Sequence, residues 1–571
     1  MQVCYTGSIL MDLKKVYRSR IAGWLIAVPM MLGFLMFNGS PVDAQYLPTD
    51  ISNQGIYLFL DELATRQVID LHSLVKPYSR KEIAEMLLEA DSSRVELSGR
   101  QQAELDFYLR DYMKDLPAEG DADFGSKWLW MNDNNKRFDA FYYRDSLFRI
   151  TVNPILGGDL WVNQNGSFYH WWNGLEASST IGRFAIWSSL RDNHESRELT
   201  ARDFQNQNTG ASNIKIYSGG KRDYWEVRAG ITYGWEWGHV GLIMGQFAWG
   251  ENNAGANIFS GRTPAFPRLE LAMDPAPWFR FIYVHGALVS EVVDSTLSFT
   301  TSTAYGTDYR EVYHPKYLAA NIFTFIPTRG LQLSIGNSII YDYRYPHIAF
   351  FLPVAFYKAV DHTLNARIDN MNSQLFFSAS SRNIRNVHLY GTVFLDEVAV
   401  DRILNSNEHN FVSYKVGAAT TFLPDVRFWT EYTWTNALTF RHYIPTTTFE
   451  SNQYNLGHYL EDNARQFCLG AEYRPIRTLN ISAYYKHSEK GPDHTDLGTM
   501  PRDAITPFEP IVWRSVQAGI LATCQLVNDL YMRLGYEWRN VTGNAEYLEQ
   551  WTPEVYHGRT GTFRIGLNYG F

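Results

Sequence analysis

Cysteine is nearly missing. Three occur in 571 residues, Cys4, Cys468 and Cys524, with no CxxC pair and no metal-like cluster. Neither a disulfide framework nor a structural zinc site is suggested, and no metal or other cofactor is expected. Basic charge is short as well: 51 Lys and Arg stand against 60 Asp and Glu, a formal charge of -9. No electrostatic footprint for nucleic acid exists. Long apolar runs are scarce. Mean hydropathy is -0.28, and only Ile21–Phe37 approaches one helical span, which excludes a helical membrane bundle. No HExxH, P-loop or GxSxG is present, so the expectation is a non-enzyme. What abounds is aromatic: 17 Trp, 36 Tyr and 34 Phe, a composition that favours β structure.

The amino terminus reads as an address. Lys14, Lys15, Arg18 and Arg20 precede the apolar run, and Val42 and Ala44 occupy positions -3 and -1 of a cut after Ala44. Residues 1–44 are therefore expected to be a signal peptide, with Met11 a more ordinary start than Met1. Pro29 and Gly33 within the run argue against an uncleaved anchor. Cleavage removes four positive and two negative charges and leaves the mature chain at -11.

Residues 45–126 are expected to hold three short helices and a linker, as a periplasmic unit or a plug. Ile56, Phe59, Leu60 and Leu63 fall on one helical face. Ser79 with Glu82, and Ser98 with Gln101, have the spacing of capping boxes. Pro117–Ser126, rich in Gly, Asp and Ala, is the expected linker.

Residues 127–571 alternate with a period of two. Trp225, Val227, Ala229, Ile231, Tyr233, Trp235 and Trp237 oppose Tyr224, Glu226, Arg228, Gly230, Thr232, Gly234 and Glu236. Phe563, Ile565, Leu567, Tyr569 and Phe571 oppose Arg564, Gly566, Asn568 and Gly570. Leu530–Asn540 repeats the pattern. Successive strand residues point to opposite faces, so each segment has one apolar and one polar or small face. A soluble sandwich alternates too, but aromatics near strand ends suit the girdles of a bilayer-spanning barrel. The final apolar position, Phe571, resembles the signal by which barrel assembly machinery takes up such proteins.

Connections add a second signal. Short ones (Leu423–Asp425, Arg474–Ile476, Val527–Asp529, Pro327–Gly330) alternate with long polar ones (Asn436–Ala464, His487–Pro510, Asn540–Arg559), as periplasmic turns and outer loops do. About eighteen antiparallel strands follow, giving an all-β transmembrane barrel preceded by a small helical segment. By parity Cys468 faces inward and Cys524 outward, so they are not expected to pair.

Candidate site residues fall in two groups. Inward Glu226, Arg228, Glu236, Arg427, Glu431, Glu472, Arg533, Glu537 and Arg539 line the lumen, as ion-paired wall or as a selective channel. Tyr169, Trp171 and Trp172, near an outer turn, read as girdle rings or as faces on which sugar C–H surfaces pack. Glu408-His409 and Asp493-His494 have no partner nucleophile, and Asp396-Glu397 reads as solvated strand-end charge.

Several words in chain order carry a resemblance. They are Trp249-Gly250, Ser260-Gly261, Pro264–Pro267, Leu333–Tyr341, Phe351-Leu352-Pro353, Asp369–Ser373, Leu389–Glu397 and Asn455–His458. With the helical segment they resemble the capsule-assembly Wzi family of outer-membrane proteins, in the divergence of Bacteroidetes members, some linked to gliding motility. The resemblance implies an eighteen-stranded barrel closed by helices, non-catalytic and lectin-like, with outer loops that hold capsular polysaccharide. The family's glycan-binding positions do not map onto these loops. The expected partners are surface polysaccharide and outer-membrane lipid, in the bacterial outer membrane. The alternatives are a porin or transport channel, and a motility or adhesion component.

Overall fold

The computed structural model describes residues 45–116, 125–128, 139–196, 209–217, 219–304, 306–364, 368, 370–396, 405, 407–494, 505–527 and 529–570. The expected signal peptide, most of the expected linker, Glu397 and Phe571 lie outside them.

Three helices open the described chain: α1 Gln54–Thr65, α2 Arg80–Ser92 and α3 Gly99–Tyr112. Their apolar faces meet in one core that holds Ile56, Phe59, Leu60, Leu63, Ile83, Leu87 and Leu105. Ser98 makes the full capping box with Gln101. The Ser79 box is half made. Ser79 accepts from the Glu82 amide, but the Glu82 carboxylate takes Arg280 of the barrel at 3.1 Å. No helix among the described residues is long and apolar enough to cross a membrane.

Eighteen strands form the ring: β1 Phe148–Asn163, β2 Gly166–Ile181, β3 Phe184–Glu195, β4 Arg222–Trp235, β5 Gly238–Met244, β6 Pro267–Ala276, β7 Phe279–Val293, β8 Tyr313–Thr328, β9 Leu331–Tyr341, β10 Met371–Ser381, β11 Val387–Asp396, β12 Val412–Thr420, β13 Val426–Thr435, β14 Ala464–Ile476, β15 Leu479–Lys490, β16 Trp513–Gln525, β17 Leu530–Gly543 and β18 Gly558–Tyr569. Each pairs antiparallel with the next, and β18 closes on β1 through Phe563↔Val162 to Tyr569↔Leu156. Closure removes both sheet edges, which a bilayer requires because hydrocarbon offers no partner to free backbone groups. Below that contact, Phe141–Arg144 pairs with the start of β1.

The expected parity holds along the wall. Trp225, Leu534, Phe563 and Ile565 are about 60% exposed on the outside, while Tyr224, Thr232 and Asn568 are buried inside. A ring of exposed apolar side chains would aggregate in water, and it is the surface that lipid solvates. One connection departs from the short-and-long rhythm. The outer link between β1 and β2 is the two-residue turn Gln164-Asn165.

Candidate functional site

The site is the lumen and what fills it. The helices sit across the end where the short turns lie, and the contact is electrostatic. Plug carboxylates meet barrel arginines. Asp50 pairs with Arg228, Asp61 with Arg382 and Arg427, and Glu62 and Glu104 with Arg474. Asp70 pairs with Arg329. Arg100 reverses the polarity, bonding Glu62, Glu104 and Asp425 of the β12–β13 turn. Burial pushes the Asp61 carboxyl up, but Arg427 and Arg382 hold it far below the usual carboxylate range. At Glu62 burial is likewise outweighed, by Arg474 and Arg100, and the group is lowered. At Glu104 burial wins and the carboxyl is raised. Two arginines between two buried carboxylates satisfy one more fully than the other.

Two long connections fold inward. Residues 245–266, between β5 and β6, cross the lumen. Ala248-Trp249 pairs with Val75-Lys76 of the helical unit. At the far wall the Glu431 carboxylate accepts from the amides of Asn253 and Ala254, the latter at 2.9 Å. Residues 436–463, between β13 and β14, descend beside them, and the Ser260 amide donates to the Leu456 carbonyl at 2.7 Å. Leu438 and Phe440 take φ of 64° and 75°, a left-handed conformation that bulky side chains disfavour. Each is pinned by its own N–H, to Asp462 and Asp396 respectively. Trp249, Phe259, Phe440, Phe449 and Leu456 pack against Phe376 and Phe394 of the wall in a buried apolar cluster. The sequence reading of Asn436–Ala464 as a polar outer loop is thus corrected. Its apolar residues complete a core inside the barrel.

A second sector, lined by β1–β4 and β15–β18, is polar, with Asp159 and Arg228 buried and the other named groups half-buried. Arg191 and Arg228 bracket Glu226. Arg564 and Arg533 reach Asp159, and Glu537 accepts from Arg539 and from the Tyr484 hydroxyl.

The predicted lumen residues therefore divide. Glu226, Arg228, Arg533, Glu537 and Arg539 line the polar sector. Arg427 and Glu431 face inward but are occupied, Arg427 with Asp61, Glu472 and Asn253, Glu431 with the crossing loop, Tyr390 and Lys415. Glu236 departs from the reading. The strand ends at Trp235, and Glu236 sits exposed in a two-residue turn with Trp237. The three aromatics do not converge. Tyr169, Trp171 and Trp172 lie along β2, where neighbours point to opposite faces. Trp171 is outside, stacked on His194 at 3.8 Å. Trp172 is in the lumen, its ring across the space a Cβ on Gly157 would fill, with the Arg191 guanidinium 5.6 Å from its centroid. Tyr169 shares the outer parity of Trp171. On the inner side of the rim, Trp161 stacks on Phe168 at 5.7 Å beside Tyr556, a group the sequence reading passed over. Among the described residues no cluster of His, Cys, Asp or Glu could hold a metal. His409 is buried, with its Nε2 2.7 Å from the Ala437 carbonyl.

One loop group titrates near neutrality. Burial pushes the Glu461 carboxyl up to about 7, against the pull of Lys490 and Arg441. A carboxyl raised on folding supports the fold while protonated, and that support is lost as pH rises through the folded value. The apparent melting temperature is therefore expected to fall between about pH 5 and about pH 8, and Glu461→Gln to flatten that slope. An equal slope in the variant would refute the assignment.

Neither a family model nor a curated protein matches the sequence. Among solved structures, the fold is similar to that of Wzi from Escherichia coli, described as an outer-membrane protein involved in group 1 capsule assembly and a carbohydrate-binding β-barrel. That match covers 92% of this chain and 100% of the other, at a TM-score of 0.55 and 13% identity. OccK8 (OprE) of Pseudomonas aeruginosa covers 74% of this chain and 97% of its own, at TM-score 0.41 and 10% identity. OccAB2 of Acinetobacter baumannii covers the same shares at TM-score 0.41 and 8% identity. The likeness to Wzi is one of fold, and that fold is a closed eighteen-stranded outer-membrane barrel.

Proposed function

We propose that this barrel holds a surface polysaccharide at the cell surface and does not serve as a general channel. The observation that carries the reading is the filled lumen. A channel needs a continuous aqueous path, and here a helical unit spans one end while two loops build an apolar core across the middle. A barrel filled in this way leaves its outer loops and rim as the working surface. The fold shared with a structure described as carbohydrate-binding supports the same reading. Half-buried Trp161, with Arg564 5.2 Å from its ring, and the polar groups Asp159, His170 and Arg191 offer one ring face and several hydrogen-bonding groups to a sugar. Binding is weak at each barrel. A long polymer that touches many barrels gains effective concentration with no tight single site.

Fractionation of polymer from a deletion strain tests this. Polymer made in normal amount but shed into the medium is the expected result. Cell-bound polymer at the wild-type level, together with steady porin-sized conductance of the purified barrel in planar bilayers, would establish the channel reading instead. Normal polymer retention with loss of surface spreading would establish a motility role.

A further inference from the structure

The connection between β9 and β10 does not project into solvent. Its residues 342–364, with the short helix α4 Tyr357–Leu364, fold back over the outside of the wall formed by β7, β8 and β9. Outward parity on these strands places Leu333, Ile335 and Phe325 in the exposed apolar belt. Continuing along the same faces, Tyr283, His285, Asn321, Asn337 and Tyr341 are buried, although no strand covers them. Asn321 and Asn337 are amides on the face of the wall that meets lipid.

Their partners are the backbone of this connection. The Asn321 amide donates to the carbonyls of Pro353 and Ala355 at 2.8 and 2.9 Å. The Tyr357 N–H donates to the Asn337 side-chain oxygen at 2.9 Å, and the Tyr283 hydroxyl donates to the Phe350 carbonyl at 2.8 Å. Phe350 and Tyr357 pack inward on Tyr283, Ile339 and Tyr341. The opposite side of the segment through Phe356 is apolar and open: Ile348 is 83% exposed and Val354 66%, with Leu352 and Phe356 near half. From Tyr345 to Tyr357 there is no Asp, Glu, Lys or Arg.

An outer loop in water turns polar backbone to solvent and hides apolar side chains. This segment does the reverse. Irregular backbone is tolerated at membrane depth only where protein satisfies its polar groups, and here wall asparagines and a tyrosine supply them. The covered stretch of β9, Asn337–Tyr341, is its half nearer the outer loops, since β9 rises from the short turn at Arg329-Gly330. We propose that residues 345–357 are a strap inserted in the outer-leaflet hydrocarbon, continuing the lipid-facing belt outward over β7–β9. The occupant of its open face is lipid acyl chain, because that face is continuous with the belt and carries no charge to meet water. The strap rests on the barrel's orientation in lipid and not on the polysaccharide reading, so either can fail alone.

Spin labelling tests it in the full barrel, reconstituted in dioleoylphosphatidylcholine vesicles. In a Cys468→Ala, Cys524→Ala background, nitroxides are placed through Val354→Cys and Ile348→Cys. A label at Ile565 reports the lipid belt, and one at Tyr309 an outer hairpin. Folding of each variant is checked by the mobility of the unboiled protein on a gel. The expected result is an oxygen-to-nickel-chelate collision ratio at 354 and 348 that matches 565 and exceeds 309. A ratio equal to that at 309 would place the strap in water and overturn the proposal. Spin–spin broadening at 354 that vanishes on dilution with unlabelled protein would show a second copy on this face, and would overturn it equally. Two positions keep the test decisive where one variant fails to fold.

Discussion

A Trp249→Ala variant is expected to lose about 3–5 kcal/mol of stability in the lumen core and to admit current through a barrel that the proposed reading holds shut. Trp249 is 1% exposed and is the largest of the fully buried side chains. Its ring lies edge-on to Phe259 at 5.1 Å and to Phe247 at 5.9 Å. Its backbone bonds Phe259 on one side and faces Val75 on the other. This one residue thus joins the crossing loop, the helical unit and the wall. The cavity left by alanine cannot collapse, because the hydrogen-bonded wall fixes the walls of the hole. The temperature at which the folded band disappears on an unboiled gel should drop, and planar-bilayer recordings should show intermittent openings. A wild-type melting temperature with silent recordings would mean that the core does not close the lumen.

The second large effect is at the plug. Arg474→Ala leaves Glu62 and Glu104 buried with Arg100 as their remaining guanidinium. An uncompensated buried carboxylate costs about 3–5 kcal/mol, more than the net worth of the original pair. The helical unit should therefore become sensitive to protease while the barrel band persists, because the ladder of β14 does not depend on the Arg474 side chain. Glu62→Gln combined with Arg474→Gln removes charge from both partners and should restore much of the protection. Acid should mimic the single variant. Asp61 and Glu62 are both held below their ordinary values, so they stabilise the plug above the unfolded carboxylate pKa, and that support is lost as pH falls through the folded values. Protection of the plug that is equal in wild type and variant would show that other contacts hold it.

Much of the barrel was legible because its signal is local. Trp225 to Trp237 and Phe563 to Tyr569 declare their faces by alternation alone, and a bilayer wall has only two faces. The capping spacing at Ser98 was equally readable, whereas the box at Ser79 was undone by Arg280, 198 residues beyond Glu82 in the chain. The aromatic run at 169–172 divides between the two faces for a reason already present in its period. Adjacent strand residues cannot share a face, so Trp171 turns outward and Trp172 inward. The strap was hidden because the sequence of an apolar loop does not say whether it turns into the lumen, as 245–266 does, or out into lipid, as 345–357 does.

The sequence by itself determined the two-faced strands, their number to within a pair and the leading helices. Those follow from periods of two and 3.6 residues and from composition, which act over a few neighbours. Tertiary structure alone decided that an apolar core crosses the lumen, that plug acids meet rim arginines, and that one loop lies against the outside of the wall. These choices depend on pairs such as Glu62 with Arg474 and Asn253 with Glu431, far apart in the chain. No local pattern encodes such a pair, because its energy exists only once the ring has closed and brought its opposite sides together.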